Sequence, residues 1–106
     1  MITADFYKEN DTLRLCVSGH ADYAESGGDI VCAGVSGIVY ALIGYLANSG
    51  IYLKINSLRS GCADIECSQR GEEALKQTCI GLIQIQVTYP GCVSVKNQLW
   101  NWRAAG

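Results

Sequence analysis

The sequence is poor in charge and in histidine, and it has no C-x-x-C pair. Of its 106 residues 17% are charged, the net charge is −2, and one residue is a histidine. No run of Lys or Arg is interleaved with aromatic residues, so binding of nucleic acid through its phosphates has little support. None of the cysteine spacings is C-x-x-C, and a single histidine cannot complete a Cys2His2 zinc site. We therefore expect no metal, no cofactor and no nucleic-acid partner.

The features of an exported protein are also missing. Residues 1–11 alternate in polarity and carry charge, whereas a signal peptide has an uncharged apolar centre. We therefore predict a cytoplasmic protein whose six cysteines stay reduced instead of forming three disulfides. For most of these cysteines, the simplest role is that of a small apolar side chain in the core.

The patterns that are present predict an α+β fold. Two pairs of alternating segments indicate hairpins, the second with a turn around Ser60 and Gly61. Apolar residues at helical spacing follow Glu72, and Pro90 ends that helix at the latest. The predicted strands are residues 2–7, 12–18, 51–56, 62–67 and 92–96. We predict a single domain, residues 1–106, built as a two-layer sandwich. Its mixed or antiparallel sheet has four to five strands with two helices, in the order ββαββαβ.

A long apolar segment, residues 30–47, separates the two predicted hairpins. Its eighteen residues carry no charge, which is the lower limit for a membrane-spanning helix. Three glycines and a serine interrupt it, and no cluster of Lys or Arg flanks it. Both hairpins present an apolar face that another element must cover. We therefore predict a core helix lying across the sheet and no membrane partner.

The start of this helix carries the chain's candidate catalytic residues. Asp29 follows Gly27 and Gly28 and is a favoured N-cap residue, which places Cys32 in the first helical turn. Free N–H groups and the helix dipole favour a thiolate there, although the Asp29 carboxylate opposes it. His20, at the end of the second strand, is the one imidazole that can complete a nucleophile and base pair. From spacing alone, a solvated His20 and a buried Cys32 remain an alternative.

Residues 19–36, GHADYAESGGDIVCAGVS, closely resemble the signature of the ribosomal-processing cysteine protease family, Prp. The matching groups are Gly19-His20-Ala21, Tyr23-Ala24-Glu25, the run from Gly27 to Ala33, and Val35-Ser36. The remainder of the chain agrees more loosely, in the order of its elements and in Tyr89-Pro90 after the second helix. The resemblance is therefore strong in one long motif and general elsewhere.

This resemblance implies a function and a set of site residues. The family consists of small α+β endopeptidases of bacteria that remove a short N-terminal extension from a large-subunit ribosomal protein, cutting after an aromatic residue. Relatives in phages trim capsid or scaffold proteins. By matching positions, Cys32 is the nucleophile, His20 is the general base and acid, and Asp29 and Ser36 support them. The implied mobile substrate loop contains Gly19, Ala21, Asp22, Tyr23, Gly27 and Gly28. A homodimer is also implied.

The sequence departs from the family pattern at two places in the predicted helix. Gly34 replaces the second alanine of the family's Cys-Ala-Ala run, and Gly37-Ile38 replaces Ala-Leu. Each glycine loosens the helix by roughly 1 kcal/mol without touching the predicted dyad.

Two other classes of function are alternatives to the peptidase. A non-catalytic, ribosome-associated peptide-binding module is one alternative. A redox protein using Cys32 and a second cysteine is the other, weakened by the missing C-x-x-C spacing. If the chain is a peptidase, N–H groups at the helix start are expected to hold the oxyanion.

Overall fold

Five strands and two α-helices follow one another in the order ββαββαβ within residues 1–21 and 29–105, which the computed structural model describes. The predicted α+β class and element order are thereby confirmed. The strands are β1 Ile2–Glu9, β2 Thr12–Ser18, β3 Leu53–Arg59, β4 Cys62–Ser68 and β5 Val93–Asn97, and the helices are α1 Ile30–Asn48 and α2 Glu72–Thr88. A short 3-10 turn, Gln69–Gly71, joins β4 to α2.

The five strands form one mixed sheet in the order β3-β4-β2-β1-β5. The two hairpins, β1 with β2 and β3 with β4, are antiparallel and are joined through the antiparallel pair of β2 with β4. Strand β5 instead lies parallel to β1, from Ile2 opposite Val93 to Phe6 opposite Asn97. Parallel strands need a crossover connection, and the chain returns through α2 before it adds β5.

The core lies between one face of the sheet and the two helices. Alternate strand residues point into it, among them Phe6, Leu15 and Ile65, each almost fully buried. Helix α1 contributes a stripe at spacings of three and four residues: Val31, Val35, Val39, Leu42 and Leu46. Helix α1 is long and apolar enough to cross a membrane by length and composition, a test that core helices of soluble proteins also meet. Its buried stripe accounts for the apolar segment as a core helix.

The structure fixes the end of α2, which the sequence left open, and the limits of β3 differ from those predicted. The alternating residues that follow Leu82 remain helical, and α2 continues to Thr88 because Leu82 and Ile83 are buried in the core with the rest of its inner face. Strand β3 begins at Leu53, two residues later than predicted, and extends to Arg59. It is an edge strand with a bulge between Ile55 and Ser57 and little buried surface, so its hydrophobic pattern marks its limits poorly.

The sheet face that points away from the helices carries polar side chains around Arg14. Its guanidinium forms ion pairs with Asp64 at 2.6 Å, Glu9 at 3.0 Å and Glu66 at 3.7 Å. The same group lies 5.5 Å from the ring centroid of Tyr7. These contacts tie β1, β2 and β4 together on the side opposite the helices.

Candidate active site

The start of α1 is organised by Asp29. This residue has extended backbone angles and acts as the N-cap predicted from the sequence. Its Oδ1 accepts hydrogen bonds from the N–H groups of Val31 and Cys32, both at 3.0 Å, and its carbonyl oxygen accepts from the Ala33 N–H at 3.2 Å. Asp29 therefore fixes the first helical turn and, with it, the position of Cys32.

This capping corrects the expected position of the oxyanion hole. N–H groups at the helix start were expected to hold a developing oxyanion, but two of them, those of Val31 and Cys32, already donate to the Asp29 carboxylate. An oxyanion hole needs donors aimed at the developing charge. With Asp29 in its capping position, these two amides do not provide them.

The sulfur of Cys32 is in contact with the end of the β2 segment. The Ala21 N–H donates to Cys32 Sγ at 3.3 Å, and Ala21 itself is buried. Because Ala21 directly follows His20, this bond brings the histidine's segment to the start of α1.

His20 and Cys32 line the same cleft, whose volume is about 130 Å³. His20 is exposed and Cys32 is half-buried. The remaining walls come from β1 and β2 (Ile2, Val17 and Gly19), from one side of α1 (Val35, Ser36, Val39 and Tyr40), and from the β3–β4 hairpin (Leu58, Arg59, Ser60, Gly61, Cys62 and Ala63).

The other predicted site residues lie in different places. Ser36 is exposed on this cleft, one helical turn after Cys32. Gly19 also borders the cleft and has a φ of +98°, a conformation suited to glycine. Four residues of the predicted substrate loop, Asp22, Tyr23, Gly27 and Gly28, lie outside the described residues.

The cleft is lined by the β1–β2 hairpin, by α1 and by the β3–β4 hairpin. Sequence reasoning missed the contribution of the β3–β4 hairpin. The β3–β4 hairpin was predicted as a turn at Ser60 and Gly61, but nothing in the sequence placed that turn beside His20. The register pairs Ser18 with Cys62, which brings the end of β2 to the start of β4. A correct prediction of this β2–β4 pairing would have placed the hairpin at the cleft.

Three of the remaining cysteines, Cys16, Cys67 and Cys79, have surroundings unlike that of Cys32, whereas Cys62 lines the same cleft. Burial raises the pKa of Cys67 and of Cys79 to about 11. Burial also raises the pKa of Cys16, which lies beside the Tyr7 hydroxyl at 3.6 Å. All six thiols are free. Within the described ranges, no group of three or more potential metal ligands comes together.

A comparison with known families extends these observations to most of the chain. The family described as cysteine protease Prp matches residues 1–94. The chain belongs to the Prp family. The resemblance noted in residues 19–36 is thereby confirmed, and the chain is a cysteine-type peptidase.

Individual members of the Prp family are similar in sequence and in structure. The ribosomal processing cysteine protease Prp of Mycoplasma pneumoniae is 27% identical over 88 residues, which cover 80% of this chain and 87% of that protein. An essential ribosomal processing protease Prp from S. aureus, solved with a covalently linked product peptide, is 24% identical. The match has a TM-score of 0.79 and covers 92% of this chain and 100% of that chain.

The same S. aureus protease was also solved with a substrate peptide, and that structure is 23% identical with a TM-score of 0.73. The match again covers 92% of this chain and 100% of that chain. These two Prp structures share the fold described above, and each contains a bound peptide.

Proposed function

We propose that this protein is a cysteine endopeptidase that removes a short N-terminal extension from a large-subunit ribosomal protein, cutting after an aromatic residue. Cys32 is the nucleophile and His20 the general base and acid, with Asp29 and Ser36 in supporting roles. One observation carries the proposal: the hydrogen bond from the Ala21 N–H to Cys32 Sγ, which joins the residue after His20 to the predicted nucleophile.

The proposed reaction is acyl transfer in two steps. The Cys32 thiolate attacks the scissile carbonyl carbon, and the His20 imidazolium protonates the leaving amine as the carbon–nitrogen bond breaks. A thioester remains on Cys32. His20 then takes a proton from water, whose oxygen attacks the thioester and releases the carboxyl product and the thiolate. Both groups end in their starting protonation states.

Asp29 and Ser36 have different proposed roles. Asp29 holds Cys32 through the helix cap, so its contribution is to orient the nucleophile. Ser36 is exposed on the wall of the cleft, one turn along α1, where its hydroxyl can meet a peptide backbone. A ribosomal substrate places the enzyme in the cytoplasm, where reducing conditions keep the Cys32 thiol free.

The catalytic assignment is tested with Cys32→Ala and His20→Ala on synthetic peptides that match the N-terminal segments of the host's large-subunit ribosomal proteins. Mass spectrometry identifies the peptide that the wild-type protein cuts and the position of the cut. Cys32→Ala should abolish cleavage, and His20→Ala should lower kcat/KM by about 10²–10⁴-fold, the usual contribution of a general base.

Cys16→Ala is the matched control, because Cys16 is also a half-buried cysteine but lies on the opposite face of the sheet. It should cleave like the wild type. Alkylation by iodoacetamide at neutral pH should label Cys32 first and slow when His20 is removed. Wild-type trimming by either dyad variant contradicts the assignment. If all the ribosomal-protein peptides stay intact while a capsid or scaffold peptide is cut, the proposed substrate is wrong.

We also propose that the protein is a homodimer, with the outer side of α1 at the interface. Tyr45 is 58% exposed on this helix, and the small residues Gly37, Ala41 and Gly44 are also exposed there. Between α1 and α2 lies a groove of about 580 Å³, lined by Ile38, Ala41, Tyr45 and Thr78 among others. Small residues permit close approach of a second chain, and tyrosines are enriched at protein interfaces.

A further inference from the structure

The turn between β3 and β4 lies against the imidazole of His20. A β-carbon added to Gly61 would lie 2.7 Å from Nε2, 3.0 Å from Cε1 and 3.5 Å from Cδ2 of that ring. Non-bonded heavy atoms in good contact stay about 3.5–4.0 Å apart. The ring therefore rests on the bare α-carbon of Gly61, in space that any larger residue would fill.

Gly61 is held firmly to the strand that carries His20. The Gly19 N–H donates to the Gly61 carbonyl oxygen at 2.9 Å, and Gly19 is the residue directly before His20. One residue further out, Ser18 of β2 is paired with Cys62 of β4. These contacts set the distance between the turn and the strand end. The turn therefore limits how closely the His20 ring can approach it.

We propose that Gly61 is a positioning residue for His20: it is the support on which the imidazole rests beside the cleft that also contains Cys32. This inference depends on the proposed Cys32–His20 dyad and adds a third residue to it. A methyl group at residue 61 would push the ring away by about 1 Å, because that is the shortfall from ordinary contact distance.

The displacement should leave the fold intact. His20 is exposed and its ring turns about two side-chain bonds, whereas the turn is fixed by the bond from Gly19. The ring therefore moves and the backbone does not. A misplacement of about 1 Å can lower a catalysed rate by about 10²-fold, so the change is small for stability and large for chemistry.

The test is Gly61→Ala in the full chain, assayed on the peptide that the wild type cuts. We expect kcat to fall by about 10- to 100-fold with KM within about two-fold of wild type, because a displaced base slows proton transfer without removing peptide contacts. Alkylation of Cys32 by iodoacetamide should slow as well. In a His20→Ala background, Gly61→Ala should leave that alkylation rate unaltered, since no ring remains to be displaced.

Gly50→Ala is the matched control. Gly50 also has a positive φ, +68° against +77° for Gly61, but a β-carbon there would meet nothing within 4 Å. Both variants carry the backbone strain of alanine in the left-handed region, and only one meets the imidazole. Gly50→Ala should keep kcat within about two-fold of wild type, as a surface change remote from the cleft.

Three outcomes overturn the proposal. If His20→Ala is inactive while Gly61→Ala matches Gly50→Ala in kcat and alkylation, Gly61 does not position the ring. If Gly61→Ala slows alkylation equally with and without His20, its effect does not pass through the imidazole. If His20→Ala itself cleaves at the wild-type rate, the proposed dyad fails, and this role of Gly61 fails with it.

Discussion

Among single residues, Asp64 shows how one ion pair links the fold to pH. Burial on its own would raise the pKa of the Asp64 carboxyl, but the hydrogen bond and charge of Arg14, together with hydrogen bonds from Cys16 and Asn56, hold that pKa below its ordinary value. The Asp64 Oδ1 accepts from Arg14 at 2.6 Å and lies 3.5 Å from the Asn56 amide. Because the lowered pKa belongs to the folded state, this carboxylate stabilises the protein above the pKa of the unfolded chain.

We predict that Asp64→Asn lowers the free energy of unfolding by about 1 kcal/mol at pH 7, the scale of a partly exposed charged hydrogen bond. The contribution is complete above the unfolded pKa of about 3.9 and disappears as pH falls through the lower folded pKa. Urea denaturation at pH 7 and at pH 2 should therefore give a difference that vanishes in acid.

Glu73→Gln is the control for this pH effect, because Glu73 pairs with Lys76 while remaining 85% exposed. It should change stability little at either pH. A difference between wild type and Asp64→Asn that is equally large at both pH values would contradict the assignment of the stabilising form as the carboxylate.

Within α1, Gly34 lies two residues after Cys32, where the resemblance described under Sequence analysis led us to expect an alanine. A β-carbon added to Gly34 would lie 3.6 Å from Ile85 Cδ1, an ordinary packing distance. Gly81 on α2 differs, because its added β-carbon would lie 3.3 Å from Ile38 Cδ1. The helices therefore approach closely at Gly81 but have room for a methyl group at Gly34.

We predict that Gly34→Ala raises the free energy of unfolding by about 1 kcal/mol, because alanine loses less backbone entropy than glycine in a helix. Cleavage activity should be unchanged, since Gly34 does not line the cleft. Gly81→Ala should gain less, because Ile38 must shift. Thermal and urea unfolding of both variants measure the difference. A loss of stability in Gly34→Ala would mean that the contact with Ile85 is tighter than the structure indicates.

The strands and the helix start could be predicted from the sequence because their signals are local. Alternation marked β1, β2 and β4, and the type of residue at Asp29 marked the N-cap. The end of α2 could not be fixed, because residues after Leu82 alternate like a strand and only packing keeps them helical. The limits of β3 could not be predicted because an edge strand with a bulge buries too few residues to give a clear hydrophobic pattern.

On the scale of the whole molecule, the cleft depends on contacts that no local signal contains. His20 and Cys32 could be proposed together because they share one motif. Gly61 lies 41 residues after His20, and its contact with the imidazole follows from the pairing of β2 with β4. The parallel placement of β5 beside β1 is likewise set by the crossover through α2. Such pairings are decided by the common core, which the sequence determines only as a whole.

We predict that the protein elutes with twice the 11.4 kDa mass of one chain and that Tyr45→Glu makes it monomeric. A charge at this exposed apolar residue would have to lose water on association, which opposes burial. Light scattering coupled to size exclusion measures the mass. Val87→Glu on α2 is the control, because Val87 is similarly exposed outside the proposed interface. A monomeric wild type, or a dimer that persists in Tyr45→Glu, contradicts the proposed interface.

The presence of one histidine, resting on a glycine, also makes the site visible to spectroscopy. A proton NMR spectrum of this chain contains a single pair of imidazole C–H resonances, which belong to His20 without any need for assignment. The ring current of that imidazole acts on the two α-protons of Gly61, which lies next to the ring. Their chemical shifts therefore report the tilt of the ring, in the unlabelled protein, as peptide is added or pH is changed.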